Sequence, residues 1–374
     1  MGFIRYISQF THRGNVIRRR QYVRNGLILA GCLLFASFSI FQLKSGSLSS
    51  ELQRADALSS EGTSRNPQLG SPNADPVGDG PLLDAWMYPD APGAMKALKT
   101  HNNINAIRAE FLHINDDGSL EQINQDESAP NGYSTENVAT IKKYSREQYI
   151  TVSGTMQGTE QAMKNGRTIA GIVALAHKTG FNVELDWEEY GQWTPEYYQS
   201  YKHFVAQLAD KLHDSELTLA VDGPPIYDAS SQAWYQWKYE EVAPIVDSVV
   251  MMVYDNQYDM GVGTSIAPKS WSMDCMEWLK RTAGDKAVAG VAAYGYSGDK
   301  RSGRIAVNSS DHIRRRIGQQ TVTRNADGEL VATSGNTFYS YADAQTMDVR
   351  LDQVKQSGIS RLSVWSLGDN PWFE

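Results

Sequence analysis

From Leu82 onward the sequence alternates short β-rich runs with longer helical stretches, which restricts the chain to folds built on a parallel sheet. The candidate strands are Ala85–Tyr88, Ala106–His113, Tyr149–Ser153, Val183–Asp186, Leu217–Val221, Ser248–Tyr254, Ala287–Ala293 and Arg361–Trp365. Their count is the one that closes a (β/α)8 TIM barrel of class α/β. The intervening helices carry recognisable ends. Thr194-Pro195 offers an N-cap and a first-turn proline ahead of Tyr197–His213. Thr168–Lys178 runs toward Gly180, and Tyr341–Gln356 toward Gly358, where glycine closes a helix without a steric penalty. The connection from Tyr296 to Tyr339 is too long for a simple turn. It holds a helix candidate, Asp311–Ile317, and a hairpin, Thr321–Arg324 with Glu329–Thr333, and reads as a small insertion after strand seven. With nine residues after Trp365, the last helix of the barrel is expected to be missing, and so is a helix before strand one.

Strand four carries the strongest chemical signal. In Val183-Glu184-Leu185-Asp186-Trp187-Glu188 the side chains alternate faces, so Glu184, Asp186 and Glu188 share one face while Val183, Leu185 and Trp187 share the other. Three crowded carboxylates are costly in a structural core. Acid catalysis rewards them, because crowding raises the proton affinity of one carboxyl while its neighbours stay ionised. A solvated edge strand is the competing reading, and it fits poorly with the large apolar residues at alternate positions. In a parallel barrel catalytic groups collect at the C-terminal ends of the strands. Glu188 and Asp186 end strand four, Met252, Tyr254 and Asp255 end strand six, Tyr294 follows strand seven, and Trp365 ends strand eight. A candidate acid, a charged neighbour, a hydroxyl donor and an apolar floor describe a pocket for a sugar ring. Trp193 and Trp234 are further candidates for stacking on sugar faces, with helix packing as the alternative for both.

The N-terminal part is of a different character. Residues 1–44 hold seven arginines and lysines and no acid, which leaves −15 of the formal net −8 on residues 45–374. So acidic a body repels nucleic acid, and a neutral or partly cationic polymer approaches it more easily. Gly26–Leu43 is an uncharged, mostly apolar run just long enough to span a membrane behind a basic flank. Residues 1–25 therefore read as a basic cytoplasmic segment and 26–43 as a transmembrane signal anchor. Residues 44–80, rich in Ser, Gly, Pro, Asn and Asp, read as a disordered linker, and 81–374 as the barrel. Export through the twin-arginine motif Arg19-Arg20, or lipidation at Cys32, are the alternative fates of the signal. All three put the barrel outside the cytoplasm, in periplasm or beyond. Cys275 is the one cysteine of the body and reads as a buried thiol, not a nucleophile. The histidines show no metal spacing and Gly261-Val262-Gly263 is too sparse for a nucleotide loop, so neither a metal nor a cofactor is expected.

The strand-end residues resemble glycoside hydrolase family 18, the chitinase-like family, from about Leu82 to the C-terminus. Glu184-Leu185-Asp186-Trp187-Glu188 is similar to the second half of the family's D-G-x-D-x-D-W-E motif. Met252-Val253-Tyr254-Asp255 is similar to its M-x-Y-D, and Gly290–Gly295 and Val364-Trp365-Ser366-Leu367 to its strands seven and eight. The resemblance implies a retaining glycosidase that cuts β-linked N-acetylhexosamine polymers by substrate-assisted catalysis, an exception to the two-carboxylate scheme. Glu188 would protonate the leaving oxygen, Asp186 and Tyr254 would hold the substrate's acetamido group, and Trp365 would lie beneath the ring. Glu184 would act one layer deeper, through the ionisation of Asp186. Three departures mark a divergent branch: Glu184 for the usual middle aspartate, Phe181-Asn182 for the first aspartate and its glycine (or a deletion of one residue there), and Val152-Ser153-Gly154-Thr155 on strand three. The alternatives are a non-hydrolytic sugar-binding barrel, against which the presence of Glu188 counts, and a conventional two-carboxylate glycosidase with Asp186 or Asp255 as nucleophile.

Overall fold

A computed structural model describes residues 80–373. The expectations for residues 1–79, the transmembrane anchor, the linker and Cys32 among them, lie outside the described residues. Among the described residues no helix is long and apolar enough to cross a membrane.

β1 (Leu82–Met87) and β2 (Ala106–Ile114) pair in parallel, and the short β3 (Leu120–Gln122) turns back antiparallel onto β2. β4 (Glu147–Gly154) pairs in parallel with β2, and β5 (Asn182–Asp186), β6 (Leu219–Gly223), β7 (Ser248–Met252) and β8 (Ala287–Ala292) follow, each parallel to its predecessor. β9 (Gly295–Asp299), β10 (Ile305–Asn308), β11 (Thr323–Arg324), β12 (Leu330–Ser334) and β13 (Thr337–Tyr341) make a separate antiparallel sheet in the order β10-β9-β13-β12-β11. β14 (Arg361–Trp365) enters between β8 and β1 and, with the β1–β2 pairing, closes a ring of eight parallel strands. Strands four, six, seven and eight of the barrel are thus β5, β7, β8 and β14.

The barrel wall follows from the alternation in β5. Val183, Leu185 and Trp187 point outward and are at most 1% exposed, with Trp187 packed against Tyr201 and Phe204 of the helix Pro195–His213. That helix starts as its sequence requires, with the Thr194 side chain accepting from the Tyr197 amide and Pro195 in the first turn. The helix Gly166–Thr179 ends at Gly180, whose φ of 67° closes it in the left-handed conformation.

The insertion is larger than the single expected hairpin. β11 and β12 match that hairpin, while β9, β10 and β13 complete a five-stranded sheet with the helix Ser310–Ile317 on it. Tyr341 belongs to β13, and the following helix begins only at Ala344, behind an Asp343 capping box. Glu329 ties the insertion to the barrel. Buried at 0% exposure, it accepts from the amides of Ile266 and Ala267, from the Ser340 hydroxyl and from Arg350. Beyond β14 the tail forms no helix within the described residues. Instead Trp372 stacks on His101 at 5.5 Å and donates to Asn103, so buried aromatics occupy the tail.

Candidate active site

The barrel interior is divided. On one side Trp86, Val250 and Val288 form an apolar cluster that reaches Trp365. Gly290 belongs to the same side because a Cβ there would lie 2.8 Å from the Met251 carbonyl and 3.3 Å from the Trp86 ring. On the other side β1, β2, β4, β5 and β6 turn charged and polar groups inward. Glu184, 0% exposed, takes Arg108 at 2.5 Å on one oxygen and the Trp86 indole at 2.9 Å and Thr151 at 2.6 Å on the other. Arg108 also reaches Asp84 at 3.0 Å, and Asp84 is shared with Arg361 at 2.6 Å. The expected third member of a titrating row is therefore the anchor of a buried ion network. Nothing in strand four announced Arg108, Asp84 or Asp222 as its neighbours, although charges embedded in otherwise apolar strands were a signal.

Asp186 and Glu188 lie above that layer and are half-buried. In the β4–β5 register Asp186 is opposite Ser153. The backbone of Glu188 is held by the Trp193 indole, which donates to its carbonyl at 3.0 Å. The next residue, Glu189, has φ 61° and accepts from the Met156 amide at 2.8 Å, so a left-handed non-glycine residue turns the chain sharply after Glu188. Such backbone is sparsely populated and collects at functional sites. Asp255 repeats the pattern beside Tyr254, with φ 71°. Its carboxylate receives the Tyr294 hydroxyl and, at 3.3 Å, Gln257.

Trp365, half-buried at the end of β14, is enclosed by tyrosines. Tyr88 meets it edge-on at 5.6 Å, Tyr294 edge-on at 5.1 Å, and Tyr254 lies tilted at 6.1 Å. The Tyr254 hydroxyl is pushed far above the ordinary phenol range, first by burial and then by Asp255, Glu188, Asp186 and Asp222. Tyr88 is pushed the same way by burial and then by Glu110, Asp186, Glu188 and Asp90. Both phenols therefore stay neutral donors beside Asp186 and Glu188. Glu110 is a member of this group that the sequence reading missed. It sits at a bulge in β2, accepts from Ser153, and through Ser153 is connected to His113 at 2.8 Å.

Of the residues singled out from the sequence, Tyr254, Tyr294 and Trp365 are in ring contact, Asp255 receives the Tyr294 hydroxyl, and Asp186 and Glu188 act electrostatically on Tyr254, while Met252 is buried. Two placements differ from expectation. Trp193 is 5% exposed inside a cluster with Tyr190, Tyr197, Tyr201 and Trp237, so it braces Glu188 from behind and offers no face to a sugar. Tyr294 is 1% exposed and spends its hydroxyl on Asp255. Trp234 lies 37% exposed on the short helix Ala229–Tyr235. Cys275 is a fully buried thiol, raised by desolvation.

Residues 85–370 match the family described as glycosyl hydrolases family 18. The chain belongs to glycosyl hydrolases family 18. Over 215 residues it is 23% identical to an uncharacterized glycosylase, YvbX, of Bacillus subtilis, covering 53% of this chain and 60% of that protein. Over 223 residues it is 25% identical to the cortical fragment-lytic enzyme of Bacillus subtilis, covering 54% of this chain and 50% of that protein. Both matches thus span less than two thirds of the relatives. The fold is that of a chitinase from Chromobacterium violaceum, with a TM-score of 0.64 at 20% identity over 78% of this chain and 95% of the other.

Proposed function

We propose that this family 18 hydrolase cleaves β-linked N-acetylhexosamine polymers with net retention, and that the substrate's own acetamido carbonyl is the nucleophile. The observation that carries the reading is the placement of the carboxyls. Asp186 ends β5 and Glu188 follows it by two residues, both act on the Tyr254 phenol, and Trp365 lies 6.1 Å from the Tyr254 ring. Two acids side by side on one strand do not flank a sugar from opposite faces, which a conventional retaining pair must do. Asp255, the other candidate nucleophile, is engaged by Tyr294 and Gln257.

In the proposed reaction Glu188 protonates the leaving glycosidic oxygen. Asp186 accepts the acetamido N–H and stabilises the positive charge of the cyclic intermediate, while Tyr254 donates to the acetamido oxygen. Glu188, now a base, draws a proton from the water that opens the intermediate. Trp365 supplies the apolar floor. The names of the relatives, a chitinase and a cortical fragment-lytic enzyme, support an N-acetylated glycan as the substrate class. The reading extends to location. The basic segment, apolar run and polar linker of residues 1–80 would hold the barrel outside the cytoplasmic membrane.

Thiazoline analogues of N-acetylglucosamine are expected to inhibit competitively, and fluorosugar probes to leave no covalent adduct. Isolation of a stable sugar ester on Asp186 or Asp255 would transfer the enzyme to the two-carboxylate mechanism.

A further inference from the structure

β6 contains an acid that the reaction above does not use. Asp222 is 1% exposed in the strand Leu219–Gly223, whose other members are apolar or glycine. The β5–β6 register pairs Glu184 with Ala220 and Leu185 with Val221, which puts Asp222 beside Asp186 on the inward face. Neither oxygen of Asp222 receives an N–H or O–H donor among the described residues. The Glu184 carboxyl is close enough to act on it and raise its proton affinity.

Two buried carboxyls that act on one another do not both ionise, and one of them carries a proton. Glu184 already accepts from Arg108, Trp86 and Thr151, and the guanidinium among these favours a negative partner. Asp222 has no such donor. We propose that Asp222 is a positioning residue that carries the proton of the Glu184–Asp222 pair at neutral pH. The negative charge next to Glu188 then rests on Asp186.

The groups facing Asp222 agree with this. From β5 come Glu184 and Asp186, and from β2 comes the cation Arg108. Tyr190 donates its hydroxyl to the Asp222 carbonyl at 2.9 Å, and its carboxyl is felt by Tyr201 and Tyr239 from the outer helices and by Tyr254 after β7. Arg108 is already shared between Asp84 and Glu184, so an ionised Asp222 would be an uncompensated charge in the interior. Burial, then Glu184 and Asp186, raise its proton affinity well above that of an ordinary aspartate.

For the reaction, which rests on the glycosidase reading above, the consequence is a division of labour. Glu184 and Arg108 form a fixed ion pair, and Asp222 contributes a neutral O–H in place of a third charge. Asp186 is thereby left ionised without a second full charge directly beside it on β6.

The test compares the full chain with Asp222→Asn and Asp222→Val. An acid that binds its proton more tightly when folded makes the native state lose stability as pH rises above its unfolded value, about 3.9, through the raised folded value. Asp222→Asn removes that loss. Its thermal stability is therefore expected to match the parent at acid pH and to exceed it increasingly as pH is raised. The infrared spectrum of the parent at neutral pH is expected to show a protonated-carboxyl carbonyl stretch that shifts in deuterated water and is absent from Asp222→Asn. Asp222→Val, which fills the space but donates nothing to Glu184, is expected to lower kcat several-fold, with most of the loss restored by Asn. An Asn variant that becomes less stable with rising pH, a difference independent of pH, or a carbonyl band that survives the Asn substitution would overturn the assignment. Absence of turnover on every N-acetylated polymer, with the band present, would remove the proposed reaction and leave the proton on Asp222 in place.

Discussion

Removing the positive charge of Arg108 should destabilise the barrel more than any change at its mouth. The guanidinium is 0% exposed and bridges two fully buried acids, Glu184 at 2.5 Å and Asp84 at 3.0 Å. Its own proton is held even more firmly than usual, because Glu184 and Asp84 outweigh the desolvation that opposes them. Breaking a buried pair by deleting one partner costs about 3–5 kcal/mol, since the other charge is stranded. In Arg108→Met only one acid is stranded. Asp84 keeps Arg361 at 2.6 Å and Asn105, whereas Glu184 keeps the neutral donors Trp86 and Thr151, with the O–H assigned above to Asp222, and no cation among the described residues. The expected loss is therefore in the lower half of that range, about 3–4 kcal/mol. At about 2–4 °C per kcal/mol, Tm should fall by about 6–16 °C. Thermal and urea unfolding at neutral pH measure it. In the variant the stranded Glu184 binds a proton more tightly folded than unfolded, so the deficit should grow with pH from the ordinary glutamate value, about 4.3, upward. Adding Glu184→Gln to Arg108→Met should recover about 1–3 kcal/mol, because the stranded charge is then gone. A loss below about 1 kcal/mol, or one unchanged by the second substitution, would show that the buried network does not hold the interior as argued.

Two further outcomes follow from the site. Glu188→Gln keeps the shape but cannot transfer a proton, so kcat should fall by about 10²–10⁴ while substrate affinity persists; steady-state kinetics with wild-type turnover in this variant would reassign the acid. Trp193→Phe removes the indole that donates to the Glu188 carbonyl at 3.0 Å. It should cost about 1 kcal/mol of stability and lower kcat with KM unchanged, whereas a rise in KM alone would return Trp193 to the substrate-binding surface.

The sequence by itself determined the barrel strands and the ends at which chemistry would collect. Alternation within one strand says which residues share a face, so Glu184, Asp186 and Glu188 could be set against Val183, Leu185 and Trp187 without any knowledge of the partners. Helix boundaries at Thr194-Pro195 and Gly180 were equally local, because caps are properties of a few neighbouring residues. Only the tertiary structure decided what those faces meet. Asp84, Arg108, Glu184 and Asp222 come from four different strands, and their encounter depends on barrel closure and on register, which side-chain alternation leaves open. The same holds for Trp193, whose residue type suits both a sugar platform and a core, and which the helix Pro195–His213 folds over to bury. The second sheet was half legible for a related reason. Its tight hairpin is coded by the turn residues between β11 and β12, but the pairing of β9 with both β10 and β13 joins segments up to about forty residues apart, and contact over that distance leaves no periodic trace in the chain.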